Sequence, residues 1–347
     1  MIIPKVLSTL PFLLLAKDRS SRPFISHKIA MSSTIDVPTP EINFLSKPST
    51  ELSSSASKRY AKSIEYATEI QNHWREDVSK HPNMSYTVGF PITYSCTESN
   101  QIIDLYGYAI YPSIESHDNP NNLPAILFFH TAAGPNDIFL HWKASHLSSK
   151  LNCIVFLCDI LSDPNGWCWD DDRSKYNTIS TTLKTKQNGV REYLQKRIMS
   201  SINTVKNLKN VDCNNLASFG WCLGGLSIME LIQMNAHGMK ALVSFHGVFP
   251  DCYNHENQNA TASDNELHLL VCNGANDPFV CMKDIQALEQ LFKTRSSNWT
   301  LLNYPNVKHG FTNPAQKFNE NINFGYDDEA AVDSWNAALA LVKRVLF

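Results

Sequence analysis

The sequence has little glycine, almost no net charge and no long apolar run. Its 347 residues include 13 glycines, about half the usual share of roughly 7%. Its 30 basic and 33 acidic residues give a formal net charge of −3, so the concentrated basic surface that nucleic-acid binding requires is not indicated. No apolar run reaches the length of about 20 residues that a membrane-spanning helix needs. We therefore expect neither a nucleic-acid partner nor a membrane span.

Motifs for metals and dinucleotides are also missing from the sequence. The chain has no cysteines spaced C-x-x-C, no Cys/His cluster at zinc spacing, and no G-x-G-x-x-G after its first predicted strand. We therefore expect no metal site and no dinucleotide cofactor. The nine cysteines are scattered and odd in number, which favours a reducing compartment, the cytoplasm or an organelle, over a disulfide framework.

The sequence of residues 1–57 predicts a targeting segment or a disordered linker. Residues 1–30 are basic and carry an apolar stretch, as in an organellar presequence, and 32–57 are rich in Ser, Thr and Pro, as in a linker. A plain disordered tail and an alternative start at Met31 are the other interpretations. Residues 58–80 place apolar side chains on one face of a helix. We expect this accessory helix to pack on the main domain, with partner binding as the alternative.

Residues 81–347 alternate strand-like apolar runs with helical segments. The strand-like runs are 86–95, 104–112, 125–130, 153–158, 216–220, 240–246, 267–273 and 299–304. From the third run onward most are continuous, which is typical of parallel strands covered on both faces, whereas the first two alternate and suit an antiparallel edge that tolerates Pro91. Helices are predicted at 137–150, 178–208, 224–237, 282–294 and 327–346. The pattern predicts one α/β domain with a mostly parallel eight-stranded sheet and helices on both faces.

Three of the 13 glycines fall within one hexapeptide, GWCLGG at 220–225, between a strand-like and a helix-like run. In such a G-x-nucleophile-x-G turn, the tight backbone leaves no room for side chains two positions from the nucleophile. The helix N-terminus that follows lowers the pKa of a thiol, and the backbone N–H of Leu223 points where a tetrahedral oxyanion forms. We therefore predict that Cys222 is a nucleophile; a buried cysteine beside packing glycines is the alternative.

An acid and a histidine follow in the chain order that a nucleophile on such a turn requires. Asp277 comes four residues after the 267–273 run, and His309 follows the 299–304 run. Both lie at the carboxyl ends of predicted strands, where open α/β sheets collect their active-site residues. Cys222 is therefore predicted to attack, His309 to take and return the proton, and Asp277 to orient the imidazole. As the alternative, Asp277 taken by itself would be an ordinary turn aspartate, and His309 would be a loop histidine.

These motifs resemble those of the dienelactone hydrolase family, which has the α/β-hydrolase fold. GWCLGG is similar to the family's nucleophile motif, NGANDPFV to its acid loop and KHGFTNP to its histidine loop. YGYAIYP at 106–112, SFHG at 244–247 and YDDEAAVDSW at 326–335 add to the resemblance, which covers roughly 85–347. The resemblance implies hydrolysis of a small-molecule lactone or ester by a Cys-His-Asp triad, through a covalent acyl-enzyme and without a cofactor.

Two positions depart from the family's pattern near the predicted site. The family has a Glu at the start of its oxyanion loop that pairs with the resting thiol, and Thr131 stands there in the stretch HTAAG. The family also has an Arg four residues past its histidine that helps to hold the substrate carboxylate, and Asn313 stands there. A neutral amide offers no charge-assisted pair to a carboxylate. We therefore expect Cys222 to depend on His309 directly, and the substrate to differ from the family's acidic dienelactone.

Position along the chain indicates four further candidate residues. The backbone N–H of Thr131 or Ala132 is expected to supply the second oxyanion donor, because these residues follow the third predicted strand. Trp167 and Trp169 in GWCWDDDR are predicted to form a lid or a wall of the substrate site, with covering of the core as the alternative.

The sequence indicates the roles of two arginines and two further histidines less specifically. Arg191 and Arg197, on the predicted helix 178–208, are expected either to meet a substrate carboxylate or to be solvated at the surface. His130 and His246 each end a predicted strand, and we expect them to brace loops rather than to take part in catalysis.

Two other classes of function compete with a hydrolase. A non-catalytic α/β-hydrolase-like binding or scaffold protein is compatible with the added helix at 58–80, but the intact set of three residues argues against it. A redox-sensitive thiol protein is the second alternative, because an activated thiol is also oxidisable. Cys222 has no sequence-adjacent resolving cysteine, which weakens that interpretation. The sequence gives no indication of oligomeric state.

Overall fold

The computed structural model covers the strands and helices that surround the predicted site. It describes residues 88–112, 122–135, 137–163, 173–235, 238–249, 266–296, 298–314, 316, 319 and 321–347. The predicted N-terminal segments, 1–57 and 58–80, lie outside the described residues, as do Trp167 and Trp169.

Eight strands in the described part form one sheet, in the order β1-β2-β4-β3-β5-β6-β7-β8. They are β1 (Val88–Glu98), β2 (Gln101–Tyr111), β3 (Leu123–Phe129), β4 (Ile154–Cys158), β5 (Val211–Trp221), β6 (Met239–Phe245), β7 (His268–Gly274) and β8 (Asn298–Tyr304). Strands β3 to β8 pair in parallel, and β2 joins β4 in antiparallel orientation. The prediction of a mostly parallel eight-stranded α/β sheet is confirmed.

The first two strands form an antiparallel hairpin at one edge of this sheet. They pair along their whole length, from Val88 opposite Tyr111 to Glu98 opposite Gln101. Pro91 lies in the outer strand β1, where a residue without a backbone N–H is tolerated. The alternating sequence of this hairpin therefore corresponds to its position at the edge.

Helices cover both faces of the sheet in the described part of the chain. They are α1 (Ile138–Leu151), α2 (Arg173–Lys184), α3 (Glu192–Lys206), α4 (Leu223–Gln233), α5 (Met282–Arg295) and α6 (Asp328–Leu346). None of these helices has the length and apolarity needed to cross a membrane.

The core consists of two apolar clusters, one on each face of the sheet. On β3, Leu127 belongs to one cluster and its neighbours Ile126 and Phe128 to the other, as the alternation of a strand requires. Helices α1 and α6 supply Trp142 and Trp335 to the second cluster, while buried side chains of α2 to α5 join the first. Because both faces are buried, the central strands read as continuous apolar runs.

The predicted helix at 178–208 is wrong in its extent. Two helices, α2 and α3, occupy this stretch, and a tight turn separates them. Asn188 and Gly189 both have positive φ, 52° and 85°, and Gln187 pairs with Val190 across them. An Asn-Gly pair favours this turn because both residues tolerate left-handed backbone. The turn ends α2 and directs α3 back onto the sheet.

Candidate active site

The turn after β5 holds Cys222 in an unusual backbone conformation. Its φ of 51° and ψ of −111° lie outside the regions that non-glycine residues usually occupy. Hydrogen bonds hold this conformation: the Cys222 N–H donates to the Phe245 carbonyl at 3.2 Å, and the Cys222 carbonyl accepts from Gly225 at 3.0 Å and Val248 at 3.1 Å. Cys222 thus sits at the carboxyl end of β5 and at the N-terminus of α4.

The glycines around Cys222 permit close backbone contacts. A methyl group on Gly220 would overlap the backbone of Gly224, and one on Gly224 would overlap the backbone of Phe129. The second contact brings the end of β3 against the first turn of α4. The loop after β3, which contains Thr131 and Ala132, therefore lies beside the turn that carries the thiol.

The predicted acid and histidine are in direct contact. His309 Nδ1 lies 2.6 Å from Asp277 Oδ2, and both side chains are almost completely buried. The other carboxylate oxygen of Asp277 accepts a hydrogen bond from the Phe279 N–H at 2.9 Å. The His309 imidazole is also hydrogen-bonded to the Cys222 thiol. The structure therefore brings Cys222, His309 and Asp277 into one connected chain of hydrogen bonds.

The charges in this chain of hydrogen bonds shift two pKa values in opposite directions. Burial by itself raises the pKa of Cys222, but the His309 imidazole and the backbone N–H of Leu223 stabilise the thiolate, so the pKa is lowered overall. Burial by itself lowers the pKa of His309, but the Cys222 thiolate and the hydrogen bond to Asp277 raise it to about 10. The site thus favours a thiolate beside an imidazolium ion.

The loop after β3 is held by its own side chains. The Thr131 hydroxyl donates to Asp137 Oδ2 at 3.2 Å and accepts from the Ala133 N–H at 3.2 Å. Asp137 also caps α1 by accepting from the Phe139 N–H at 3.1 Å. Thr131 therefore fixes the loop to the start of α1, and its hydroxyl is engaged in this network.

The chain matches a known protein family over most of its length. The model of the dienelactone hydrolase family matches residues 113–346. The chain belongs to the dienelactone hydrolase family. It is a hydrolase that acts on ester or lactone bonds.

Solved structures and one curated protein are also similar to this chain. The dienelactone hydrolase-like promiscuous phosphotriesterase P91 from metagenomic libraries has 23% sequence identity and a TM-score of 0.61, covering 75% of this chain and 99% of its own. A Klebsiella pneumoniae protein assigned as a dienelactone hydrolase has 15% identity and a TM-score of 0.51, covering 74% of this chain and 99% of its own. An uncharacterized Caenorhabditis elegans protein is 27% identical over 151 residues, 44% of this chain and 93% of that protein. At these identities, the two structures show the shared fold.

His130 braces two loops of this dienelactone hydrolase family member. Its Nε2 accepts a hydrogen bond from the Ile160 N–H at 3.1 Å, so the ring proton lies on Nδ1, which donates to the Thr131 carbonyl at 2.6 Å. The loop after β3 is thereby tied to the loop after β4. Both ring nitrogens are therefore engaged by backbone groups, as the expected bracing role requires.

His246 lies beside the active-site histidine at the end of β6. Its ring centre is 5.1 Å from that of His309 in an edge-on arrangement, and its Nε2 lies 2.9 Å from the Thr312 hydroxyl. Burial lowers the pKa of His246 well below its usual value, and the charge of His309 acts in the same direction. His246 is thus a neutral side chain that connects β6 to the loop carrying His309.

The expectation that Arg191 and Arg197 are solvated or meet a substrate is wrong. Both are buried: Arg191 Nη1 lies 2.7 Å from Glu230 Oε1, and Arg197 Nε lies 2.6 Å from Glu98 Oε1. Arg197 also donates to the Ile160 carbonyl at 2.7 Å. The sequence places both arginines on a predicted helix but does not show that they are buried. The carboxylates that pair with them are distant in sequence, so no local pattern reveals the ion pairs.

Asn313 lies in the histidine loop as its position in the sequence suggested. Its backbone N–H donates to the Gly310 carbonyl at 3.0 Å, and its own carbonyl accepts from the Gln316 N–H at 3.0 Å. These bonds form a compact turn directly after His309. Among the described residues, no group of three or more His, Cys, Asp or Glu is placed to hold a metal ion.

Two aromatic residues of the site were missed in the sequence. Phe279 and Phe324 pack against the His309 ring, with centroid distances of 4.9 and 5.3 Å. Phe279 stands only two residues after Asp277, which was a local signal. Phe324 is brought in by the histidine loop, where a short bridge pairs it with His309, and nothing in its local sequence marked it.

Proposed function

We propose that this hydrolase uses Cys222 as a nucleophile, with His309 as its acid–base partner and Asp277 as the group that orients the imidazole. The observation that carries the proposal is the buried 2.6 Å contact between His309 Nδ1 and Asp277 Oδ2, in a histidine that is also hydrogen-bonded to a thiol on a strained turn. A nucleophile, a base and an orienting acid in this order are the requirement for acyl transfer through a covalent intermediate.

The first step forms the acyl-enzyme. The Cys222 thiolate attacks the carbonyl carbon of the ester or lactone, and the carbonyl oxygen takes the negative charge. When the tetrahedral intermediate collapses, the bond between carbon and the leaving oxygen breaks, and the His309 imidazolium gives its proton to that oxygen. The products are a thioester on Cys222, the released alcohol and a neutral imidazole. With a lactone, the alcohol stays attached to the acyl group.

The second step releases the acid. Neutral His309 takes a proton from a water molecule as the water attacks the thioester carbon. Collapse of this second intermediate breaks the carbon–sulfur bond and restores the thiolate beside an imidazolium ion. Asp277 keeps the imidazole in the orientation that both steps need, because its carboxylate is held by the Phe279 N–H.

The oxyanion in both steps requires hydrogen-bond donors. The Leu223 N–H already donates to the thiolate at the start of α4, so it faces the reacting sulfur. The backbone N–H of Thr131 or Ala132 is the second donor, since the contact between Gly224 and the end of β3 places their loop beside the turn. Backbone donors fixed in advance stabilise the developing charge without reorganisation.

Substitution of the thiol tests this proposal. We expect Cys222→Ala and His309→Ala to lower kcat/KM for p-nitrophenyl butyrate by about a thousandfold or more, because the residues act as a unit. Cys213→Ala is the control, since Cys213 is also a free thiol on β5 but lies near the start of the strand. The assay contains a reductant, because an activated thiol is oxidisable.

Mass spectrometry of the intact protein gives a second readout. A rapidly quenched reaction should carry one acyl group, and the adduct should be located on the peptide that contains Cys222. Equal hydrolysis rates in the wild type and Cys222→Ala would rule out the proposed nucleophile.

A further inference from the structure

A cluster of apolar side chains covers the outer side of the active-site histidine. The rings of Phe279 and Phe324 contact His309 edge-on, at interplanar angles of 79° and 85°. Their centres are 5.6 Å from each other. The two phenylalanines and the imidazole therefore form one contiguous aromatic group, which comes from the loops after β7 and β8.

The side chains of this aromatic group differ in how much of their surface is exposed to solvent. His309 is 1% exposed, whereas Phe279 is 45% exposed although it packs on the same ring. The backbone of Phe279 is fixed, because its N–H donates to Asp277. Phe279 thus lies between the buried imidazole and solvent, and its free side is available to a ligand that approaches the histidine.

The same two loops carry further exposed apolar side chains. Met282 is 66% exposed at the start of α5, and Ile322 is 78% exposed two residues before Phe324. Neither the segment 278–282 nor the segment 321–326 contains a charged residue. Exposed apolar side chains on the two segments that carry the aromatic contacts to His309 favour a surface that binds an apolar ligand.

We propose that Phe279, Met282, Ile322 and Phe324, here called the apolar rim, bind the apolar part of the substrate and make the enzyme prefer neutral esters with a long or aromatic acyl chain. This inference rests on the proposed function, because it gives the substrate class for the same nucleophile. Phe279 and Phe324 contact the residue that exchanges the proton, so a group bound on these two rings lies beside the imidazole.

The rim's chemistry favours this occupant over an ionic one. The rim side chains carry no charge to compensate the desolvation of a substrate carboxylate. The imidazolium of His309 beside them is already paired with the thiolate and Asp277, and Arg191 and Arg197 are engaged by buried carboxylates elsewhere. A bound alkyl or aromatic group removes apolar area from water on both partners. Binding on the rim should therefore strengthen with each methylene of the acyl chain.

A chain-length series of esters tests the proposal. For the wild type, we expect kcat/KM to rise by about tenfold or more from p-nitrophenyl acetate to p-nitrophenyl hexanoate. The acyl chain gains four methylenes, and burial of two of them, at about fourfold each, is enough for this rise. Met282→Ser and Ile322→Ser should each lower the ratio of hexanoate to acetate by about threefold, since each removes part of the apolar contact. Both side chains are largely exposed, so these substitutions leave the core intact.

Two exposed residues on the opposite part of the sheet provide the controls. Ile102 is 75% exposed on β2 and Met199 is 38% exposed on α3, both distant from β7 and β8 in the strand order. Ile102→Ser and Met199→Ser should leave the hexanoate-to-acetate ratio unchanged. Size-exclusion chromatography of all variants shows whether any substitution alters association of the chain with itself.

The outcomes separate the substrate class from the mechanism. If Cys222→Ala is inactive but the ratio is the same in the wild type and the rim variants, the rim proposal is overturned while the proposed nucleophile stands. If Cys222→Ala retains full activity, the proposed function fails first. If the rim variants change the oligomeric state and leave the ratio unchanged, the rim is an interface between copies of the chain, and the proposal is also overturned.

Discussion

At the scale of single residues, the proposed chemistry depends on the charge state that Cys222 and His309 share. The histidine is buried, yet its pKa is raised to about 10 because a thiolate and a carboxylate face it. The thiol is half-buried, and its pKa is lowered because the imidazole and a backbone N–H face it. Each side chain stabilises the charged form of the other. The nucleophile should therefore be ready at neutral pH without a separate activating step.

This coupling predicts the pH dependence of alkylation at Cys222. Iodoacetamide reacts with the thiolate, so the rate at Cys222 should reach its plateau below the ordinary thiol pKa of about 8.5. The lowered pKa means that the thiolate persists as pH falls and is lost only below that lowered value. In His309→Ala the stabilising charge is gone, and the midpoint of the rate profile should move to higher pH. Mass spectrometry of the labelled peptide gives the rate at this one thiol.

The exposed thiol of Cys213 is the internal reference in the same samples. Its alkylation profile should be the same in the wild type and in His309→Ala. Identical Cys222 profiles in the two proteins would contradict the coupling.

At the scale of secondary structure, the site exists because three element ends meet. Strand β5 ends at the turn that presents the thiol, α4 begins there, and β3 ends against the first turn of that helix. Only glycine at positions 220 and 224 allows these backbones to approach so closely. The close contact places the loop with Thr131 and Ala132 beside Cys222. Packing between elements thus decides which backbone groups lie near the proposed nucleophile.

Substitution of Gly224 by alanine should separate these elements. The added methyl group would overlap the Phe129 backbone, and overpacking of this kind costs about 1–3 kcal/mol of the free energy of unfolding. We expect Gly224→Ala to lower the melting temperature and to reduce kcat, because the oxyanion loop moves away from the thiol. Thermal unfolding and steady-state kinetics measure the two effects.

Gly325→Ala is the matched control for stability. The atoms nearest to a methyl group at this position all belong to the flexible Lys308 side chain, the first at 3.3 Å. Its melting temperature should stay close to that of the wild type. A Gly224→Ala variant as stable and as active as the wild type would show that β3 and α4 tolerate separation.

At the scale of the whole molecule, two buried ion pairs connect the helical layer to distant parts of the chain. Arg197 on α3 binds Glu98 at the end of β1 through two hydrogen bonds of 2.6 and 3.0 Å. Arg191, at the start of α3, binds Glu230 on α4. The first pair attaches the edge hairpin to the helical layer. The second joins α3 to the helix whose N-terminus forms the site.

Removal of one partner from the ion pair of Glu98 and Arg197 should destabilise the fold strongly. Glu98→Ala leaves the Arg197 guanidinium buried without its counter-charge, so we expect the free energy of unfolding to fall by about 3–5 kcal/mol. The double variant Glu98→Leu/Arg197→Met should lose much less, because no buried charge remains. Urea denaturation gives both values.

The pair of Glu192 and Lys196 on the same helix is the control. Its atoms are 2.6 Å apart, but both side chains are exposed, so Glu192→Ala should cost no more than about 0.5 kcal/mol. Equal costs for Glu98→Ala and Glu192→Ala would mean that burial contributes nothing to the hairpin pair.

The sequence by itself determined the parts of this protein that depend on local pattern. Continuous apolar runs predicted the parallel strands because both faces of such strands are covered, and the glycines around Cys222 predicted the turn because that geometry excludes side chains. Asp277 and His309 could be proposed as partners because parallel strands deliver their carboxyl ends to one edge. The Asn188–Gly189 turn was also readable, but the helical pattern on both sides obscured it.

Only the tertiary structure decided the features that depend on contacts between distant segments. Arg197 and Glu98 are 99 residues apart, and no local pattern tells a buried, paired arginine from a solvated one. The same holds for Phe324 on the His309 ring and for the neutral His246 beside it. Burial, partner and charge state arise when separate elements pack together. A residue type therefore predicts what a side chain can do, and the packed fold decides which of those things it does.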